Sequence, residues 1–370
     1  MTEKIVLTLT KHPLWGHVLQ PVLVEENDYG TLSILEFADS KSSGFSQLNE
    51  LSKKIVQLSE EMSDMALMTN FSKEKVRTIA AFQRKVTKDA IEKTIRPFIE
   101  DIHHKILLLL NDSQLPFYVR DNVKIRNLYE TELAIIPKNS SKVIFNFTKE
   151  EEDSSIHYSI HVKWEDEELD LYAKPYFQIC SEPAAIVINN KLLLFDDIDI
   201  KKLTPFFSKQ EIEIPLSYEK TYIRTFIRNC LENQEITYNG LDIKEIKPTK
   251  KAALSLETDS NNIPVLNLTL NYEDEEYPLD CTSRKIVKII ENGENISLAW
   301  FHPDKKWEKT LTGMLLKGGL EKTGQQSFSL KKNKAEFLIT KQIENMATWI
   351  SQHHEVMKNF EFNQEHITLY

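Results

Sequence analysis

The chain is expected to be an α+β protein, with an N-terminal domain of strands and a helical hairpin followed by two tandem α+β modules with antiparallel sheets. Three observations predict this. Lys142 to Leu171 and Lys251 to Leu279 share one pattern of apolar, polar and acidic positions. Both copies alternate apolar and polar residues, the period of a half-buried strand. Between about Ser46 and Leu110 the apolar residues recur instead at spacings of three and four, the period of a helix. At 370 residues the chain is long enough for two or three domains, each with its own core.

The first domain is assigned to residues 1–140. Strand-like runs at Ile5 to Leu9, Val18 to Val24 and Thr31 to Phe37 are separated by polar turns at His12-Pro13 and Asn27 to Gly30. Ile91, Ile95, Phe98, Ile99, Ile102 and Ile106 form a buried helical stripe, in which Pro97 should kink or restart the helix. Leu115 to Val119 reads as a return to extended chain.

The first module, residues 141–247, opens with V-I-F-N-F-T (Val143 to Thr148) and the alternating run from Ile156 to Leu171. It continues through Ala184 to Phe195, Leu203 to Phe207 and Glu211 to Ile214, and closes on a helix carrying Tyr222, Ile223, Phe226, Ile227, Cys230 and Leu231. The second module, residues 248–370, opens with A-A-L-S-L-E (Ala252 to Glu257) and the run from Pro264 to Leu279. Strands at Ile286 to Ile290 and Ile296 to Phe301 come next, then a helix marked by Trp307, Leu311, Met314 and Leu315. The strand Ser327 to Leu330 and a last helix with Ile339, Ile343, Met346, Ala347 and Ile350 complete it, with Asn333 and Glu336 suited to the cap of that helix. An offset of 108 residues places Tyr158, Ile160, Val162 and Trp164 on Leu266, Leu268, Leu270 and Tyr272, and superposes the two E-D-E-E turns. The expected reading is a duplication; chance similarity between amphipathic hairpins is the alternative. Phe360-x-Phe362 and Ile367-x-Leu369 start a further alternating segment, which leads us to expect an N-terminal fragment of a longer protein.

Composition narrows the function classes. With 41% hydrophobic and 28% charged residues the chain has the make-up of a soluble globular protein. Its longest strongly apolar stretch, Ile106 to Leu110, is far too short for a helical membrane span, and the N-terminus lacks the apolar core of a signal peptide, so a cytoplasmic location without membrane partners is expected. Three widely spaced cysteines, Cys180, Cys230 and Cys281, fit reduced thiols. A net charge of −10 disfavours a protein whose whole surface holds nucleic acid. The charge is uneven, however: Lys73 to Arg96 holds eight bases against three acids. If Lys73 to Lys88 is one helix, Lys73, Arg77, Arg84 and Lys88 share a sector of about 60° that suits phosphate contact. A solvated outer face remains the alternative.

No constellation rises to an active site, and no cofactor or metal is expected. Only nine glycines occur, which weighs against phosphate-cradling loops. The stretch from Gly319 to Gly324 lacks the Lys and Ser/Thr of a P-loop and reads as a helix-to-strand turn. His157 and His161 sit about 13 Å apart along a strand, too far to chelate one ion. His103-His104 and His353-His354 are expected to be surface or cap histidines, and the acidic turns Glu165 to Glu168 and Glu273 to Glu276 solvated hairpin tips. Trp164 and Tyr272 are expected in the core.

Several stretches resemble the N-terminal accessory region of bacterial Snf-type DEAD/DEAH helicases. They are H-P-L-W-G-H-V-L-Q-P-V-L-V-E-E (His12 to Glu26), I-R-P-F-I-E (Ile95 to Glu100), L-P-F-Y-V-R-D (Leu115 to Asp121), V-I-F-N-F-T (Val143 to Thr148), E-P-A-A-I-V-I-N-N-K-L-L-L-F (Glu182 to Phe195) and L-T-P-F-F (Leu203 to Phe207). The resemblance covers the first 207 residues and includes no catalytic motif. It implies a non-catalytic, helicase-associated region whose partner is a C-terminal motor or another protein, with DNA as a further candidate. The chain has no G-K-T/S loop and no D-E-x-H box, so no catalytic residue carries over. The alternative is a free-standing interaction scaffold with two binding modules.

Overall fold

The computed structural model describes residues 3–27, 30–72, 76–120, 124–150, 155–260, 263–279, 285–293, 295–330 and 339–363. Its contacts gather into two units: residues 1–147 with 157–213, and residues 148–156 with 214–370. Helices and mostly antiparallel or mixed sheets make it an α+β protein.

In the first unit, β1 (Glu3–His12) and β2 (Gly16–Glu26) pair antiparallel along their whole length. β3 (Leu32–Phe37) continues the meander. Alternation sends Ile5, Leu7 and Leu9 into the main core and Val6 into a smaller cluster with Val22, Val24, Leu32 and Leu128, so the sheet is covered on both faces. Helices α1 (Glu50–Glu60), α2 (Asp64–Phe71), α3 (Ile79–Lys85) and α4 (Lys88–Ala90) follow, with N-caps Asn49, Ser63, Thr78 and Thr87 each accepting a backbone N–H. α4 runs through a π-helical turn at Ile91–Ile95 into α5 (Arg96–Ser113). The expected kink at Pro97 takes this form: proline offers no N–H and crowds the carbonyl four residues back, and a widened turn removes the clash. Ile95, Ile99, Ile102 and Ile106 fill the core.

The sheet is completed by β4 (Phe117–Val119), parallel to β1, and β5 (Asn127–Leu128), which pairs with β3. Next come β6 (Lys142–Lys149), β7 (Ile156–Trp164) and β8 (Glu167–Leu169), with β8 folded back on β7. A second meander comprises β9 (Tyr176–Ser181), β10 (Ala184–Ile188) and β11 (Lys191–Leu194). α6 (Ile200–Leu203) and β12 (Ile212–Ile214) end this stretch.

The second unit begins with α7 (Leu216–Tyr222), which passes through a π-helical turn, Ile223–Ile227, into α8 (Arg228–Asn233). β13 (Glu235–Asn239) and β14 (Ile243–Glu245) precede the hairpin of β15 (Lys250–Thr258) and β16 (Pro264–Tyr272), and β17 (Glu275–Tyr277) folds back on β16. β18 (Ile286–Asn292) and β19 (Asn295–Phe301) form a hairpin, with β14 parallel to β19. α9 (Lys305–Lys317), β20 (Leu320–Lys322), β21 (Ser327–Leu330), α10 (Ile339–Gln352), α11 (His354–Met357) and β22 (Glu361–Asn363) complete the unit, giving the sheet order β20-β21-β16-β15-β22. Leu254, Leu268, Leu270, Leu315, Phe328 and Met346 build its core. The stretch from Gly319 to Gly324 is not a single helix-to-strand turn as expected: only Gly319 belongs to the connection after α9, Leu320 to Lys322 form β20, and Gly324 lies in the β20–β21 turn. The cap at Asn333 and Glu336, Cys281 and the run Ile367 to Leu369 lie outside the described residues.

Candidate functional site

The basic surface differs from expectation in its backbone. Lys73 lies outside the described residues, and the segment from Val76 to Lys88 is not one helix. Arg77 precedes α3, Arg84 is in its last turn, Val86 and Thr87 are extended, and Lys88 opens the next helix. The oxygens of Thr78 and Thr87 accept the N–H of Ala81 and Ala90, both at 3.2 Å, and so start two separate helices. The shared 60° sector therefore does not exist. What remains is that Arg77, Arg84 and Lys88 are each exposed and make no ion pair among the described residues.

One turn of helix after Lys88, Glu92 lines a cleft of about 820 Å³ within the first unit. Its walls come from the end of β1 and the turn to β2, the π-helical turn with the start of α5, and β9 with Glu182 just after it. Residues of the stretches beginning at His12, Ile95 and Glu182 thus line one cleft.

The His12 to Gly16 turn is locked by its own side chains. His12 Nδ1 accepts the N–H groups of Leu14 and Trp15 at 3.2 and 3.1 Å, which leaves Nε2 facing Asp64 Oδ1 at 3.4 Å. Trp15 Nε1 donates to the same oxygen at 2.9 Å. The hydrogen bond from His12, with that from Trp15, holds the Asp64 carboxyl below the usual carboxylate range. Trp15 is fully buried and meets Phe82 of α3 edge to face. Gly16 has φ +78°, and the place a Cβ would take is filled by the Arg96 guanidinium.

Along α5 the residues at i, i+4, i+7 and i+8 present one polar row to the chain from Gln178 to Pro183. Arg96 donates to the Trp15 carbonyl and lies 3.5 Å from Glu100. Glu100 accepts from the N–H and the hydroxyl of Ser181, each at 2.8 Å. His103 accepts the Leu19 N–H at 3.1 Å and donates from Nδ1 to the Ile179 carbonyl at 3.2 Å, which fixes a neutral ring. Burial pushes its pKa down to about 3. His104 Nε2 meets the Pro183 carbonyl at 2.9 Å. His17, 3.1 Å from the Gln178 carbonyl, is also lowered, chiefly by burial. The expectation of surface histidines fails at His103: an apolar-looking helix face carries a buried polar row because strand β9 offers carbonyls opposite it. Cys180 is buried here, and burial pushes its thiol up, away from the reactive thiolate.

Arg96, Glu100 and Ser181 are thus committed to one another and to the backbone within the cleft wall, while the exposed residues Lys11, Glu92, Asp101 and Glu182 also line it. No group of three His, Cys, Asp or Glu residues among the described residues is placed to hold a metal ion. No described helix is long and apolar enough to cross a membrane. Trp164 and Tyr272 are buried, as expected. The acidic turns are more than solvated tips, because Glu165 accepts the N–H groups of Lys138 and Asn139, at 2.6 and 3.1 Å, and Glu273 accepts that of Thr249 at 2.5 Å.

No family model matches the chain, and no curated protein or solved structure is significantly similar to it.

Proposed function

We propose that the chain is the non-catalytic accessory region of a Snf-type helicase, acting in the cytoplasm, whose first unit lays Arg77, Arg84 and Lys88 against nucleic-acid phosphates and guides the strand or the motor. The observation that carries the reading is the closure of three resemblance-bearing stretches around one cleft, whose lining residue Glu92 lies a turn of helix beyond Lys88, one of three exposed bases that make no ion pair among the described residues. Phosphate affinity is supplied by such cations even in a protein of negative overall charge, because the interaction is local and screened over about 10 Å. The two E-D-E-E meanders are read as a duplication, each a scaffold for its own unit. A protein-partner reading is favoured by one feature: on β3, Leu35 and Phe37 stay 42% and 64% exposed beside a strand edge that β5 covers only at Leu32 and Ser33.

Fluorescence anisotropy of residues 1–370 with single- and double-stranded DNA, at low and physiological salt, tests the reading. For three duplex phosphate contacts, log K should fall against log salt with a slope of about −2.7. Reversing the charge of Lys73, Arg77, Arg84 and Lys88 together should abolish binding. Equal binding by that variant would remove this surface from the function, and absence of binding at low salt would favour the protein partner.

A further inference from the structure

The second unit holds a separate cleft of about 440 Å³, within the size range of small-molecule sites. One wall is a single helix face on which Leu216, Lys220, Ile223 and Ile227 follow at spacings of four, three and four. Exposure falls along that face: Leu216 is 57% exposed, Ile223 8% and Ile227 0%. The opposite wall is the sheet, where Ile296 and Leu298 share one face of β19 and Ile243 of β14 stands beside Leu298. Helix and sheet therefore touch at the floor and stand apart at the mouth, leaving a wedge whose floor of Ile223, Ile227 and Leu298 is apolar and whose rim, with Lys149, Glu219, Lys220, Asp242 and Asn295, is polar. The π-helical turn Ile223–Ile227 lies at the floor, and such turns recur at functional sites.

The charges around the wedge are not balanced in function. Lys149 Nζ is paired with Glu219 at 2.5 Å, and Asp242 with Lys244 at 2.9 Å. Lys220 is exposed and has no ion-pair partner among the described residues. Gly240, at φ +73°, packs so closely on the Lys149 carbonyl that no Cβ fits, which anchors the loop before β14 as part of the wall.

We propose that this wedge binds a small amphipathic anion, its aliphatic body between Ile223, Ile296 and Leu298 and its anionic head at Lys220. The apolar floor supplies affinity by burial of the aliphatic body, and Lys220, a cation at the mouth with no ion-pair partner among the described residues, selects the head group. Nothing in this site depends on the nucleic-acid reading of the first unit.

Calorimetric titration of the full chain with decanoate, decylamine and vesicles of anionic phospholipid tests the site. Saturable one-to-one binding of decanoate is expected, weakened tenfold or more by Ile296→Trp, which fills the wedge, and several-fold by Lys220→Glu. Lys201→Glu, at an exposed position of the other unit, should leave it unchanged. Circular dichroism of each variant establishes that it folds. Decylamine binding as tight as decanoate would overturn the selection of an anion. Binding to vesicles with none to decanoate would overturn the small-molecule site in favour of a lipid surface, and decanoate binding unaffected by Ile296→Trp would place the ligand elsewhere.

Discussion

The two E-D-E-E meanders use one backbone and different anchors. In the first, Val162 pairs with Leu169 and Trp164 with Glu167; in the second, Leu270 pairs with Tyr277 and Tyr272 with Glu275, the same register displaced by 108 residues. Each turn starts with a glutamate at positive φ, 51° at Glu165 and 54° at Glu273, whose carboxylate accepts backbone N–H groups just ahead of the leading strand. The aromatic at the strand end is buried in both but satisfied differently. Trp164 donates Nε1–H to the Leu192 carbonyl at 2.8 Å beneath the Lys191 ammonium. Tyr272 donates to Glu308 at 3.0 Å and accepts the Asp304 N–H at 3.1 Å. The difference lies in what packs on the meander, a hairpin in one unit and helix α9 in the other. A strand pattern thus specifies its register locally, whereas the polar end of a buried aromatic is set by its tertiary neighbour.

The largest expected effect comes from removing an anchor. Trp164→Ala should cost about 3–5 kcal/mol, because it empties a core site and strips the Leu192 carbonyl of its donor. Tyr272→Phe keeps the ring, so the loss should be about 1–3 kcal/mol from leaving the buried Glu308 without that donor. Urea unfolding of both variants reads the contrast, and a Tyr272→Phe loss as large as that of Trp164→Ala would mean that ring packing is not what the anchors share.

Acid should separate the two units. His103 is neutral when folded, with a pKa of about 3, against 6.5 when unfolded. Below pH 6.5 the unfolded chain binds a proton that the folded one refuses, so stability is lost as pH falls, at about 1.4 kcal/mol per pH unit or about 2 kcal/mol by pH 5. His17 is shifted in the same direction. The described histidines of the second unit, His302, His353 and His354, are exposed or half-buried. Hydrogen exchange, corrected for the intrinsic rate, should show β2 amides losing protection between pH 7 and pH 5 before those of β16. His103→Gln should flatten that loss; parallel loss in both strands would sink the assignment to His103.

Much of this was legible in the residues. Alternation places Val143 to Trp164 and Ala252 to Tyr272 in hairpins, and the order of elements after them follows from short apolar runs. The break at Val86 and Thr87 was hidden because charge spacing suggested one helix, while a single threonine oxygen, aimed at Ala90, was enough to start another. The polar row of α5 was hidden for a different reason. The partners of Glu100 and His103 are Ser181 and Ile179, more than seventy positions on, and no local period reports a distant strand's carbonyls. The wedge beneath Lys220 was equally invisible, since the helical stripe reads as core whether or not the sheet meets it along its whole length.

The smallest effect tests the comparison most directly. Hydrogen bonds from Asn139 hold the Glu165 carboxyl below its usual range, and that from Thr249 does the same for Glu273. Both folded pKa values are depressed, so the stabilisation is present above the unfolded carboxylate range and fades as pH falls through the folded value. Glu165 is exposed and Glu273 half-buried at the surface, and solvent screening keeps the effect small. Glu165→Gln retains one acceptor oxygen and removes the charge, and Glu273→Gln does the same at the matched position. Equal lowering of Tm, by no more than a few degrees, is expected at neutral pH, and no difference from the wild-type chain below the carboxylate range. A large loss at one position and none at the other would mean that the two turns share a shape without sharing the interaction that sets it.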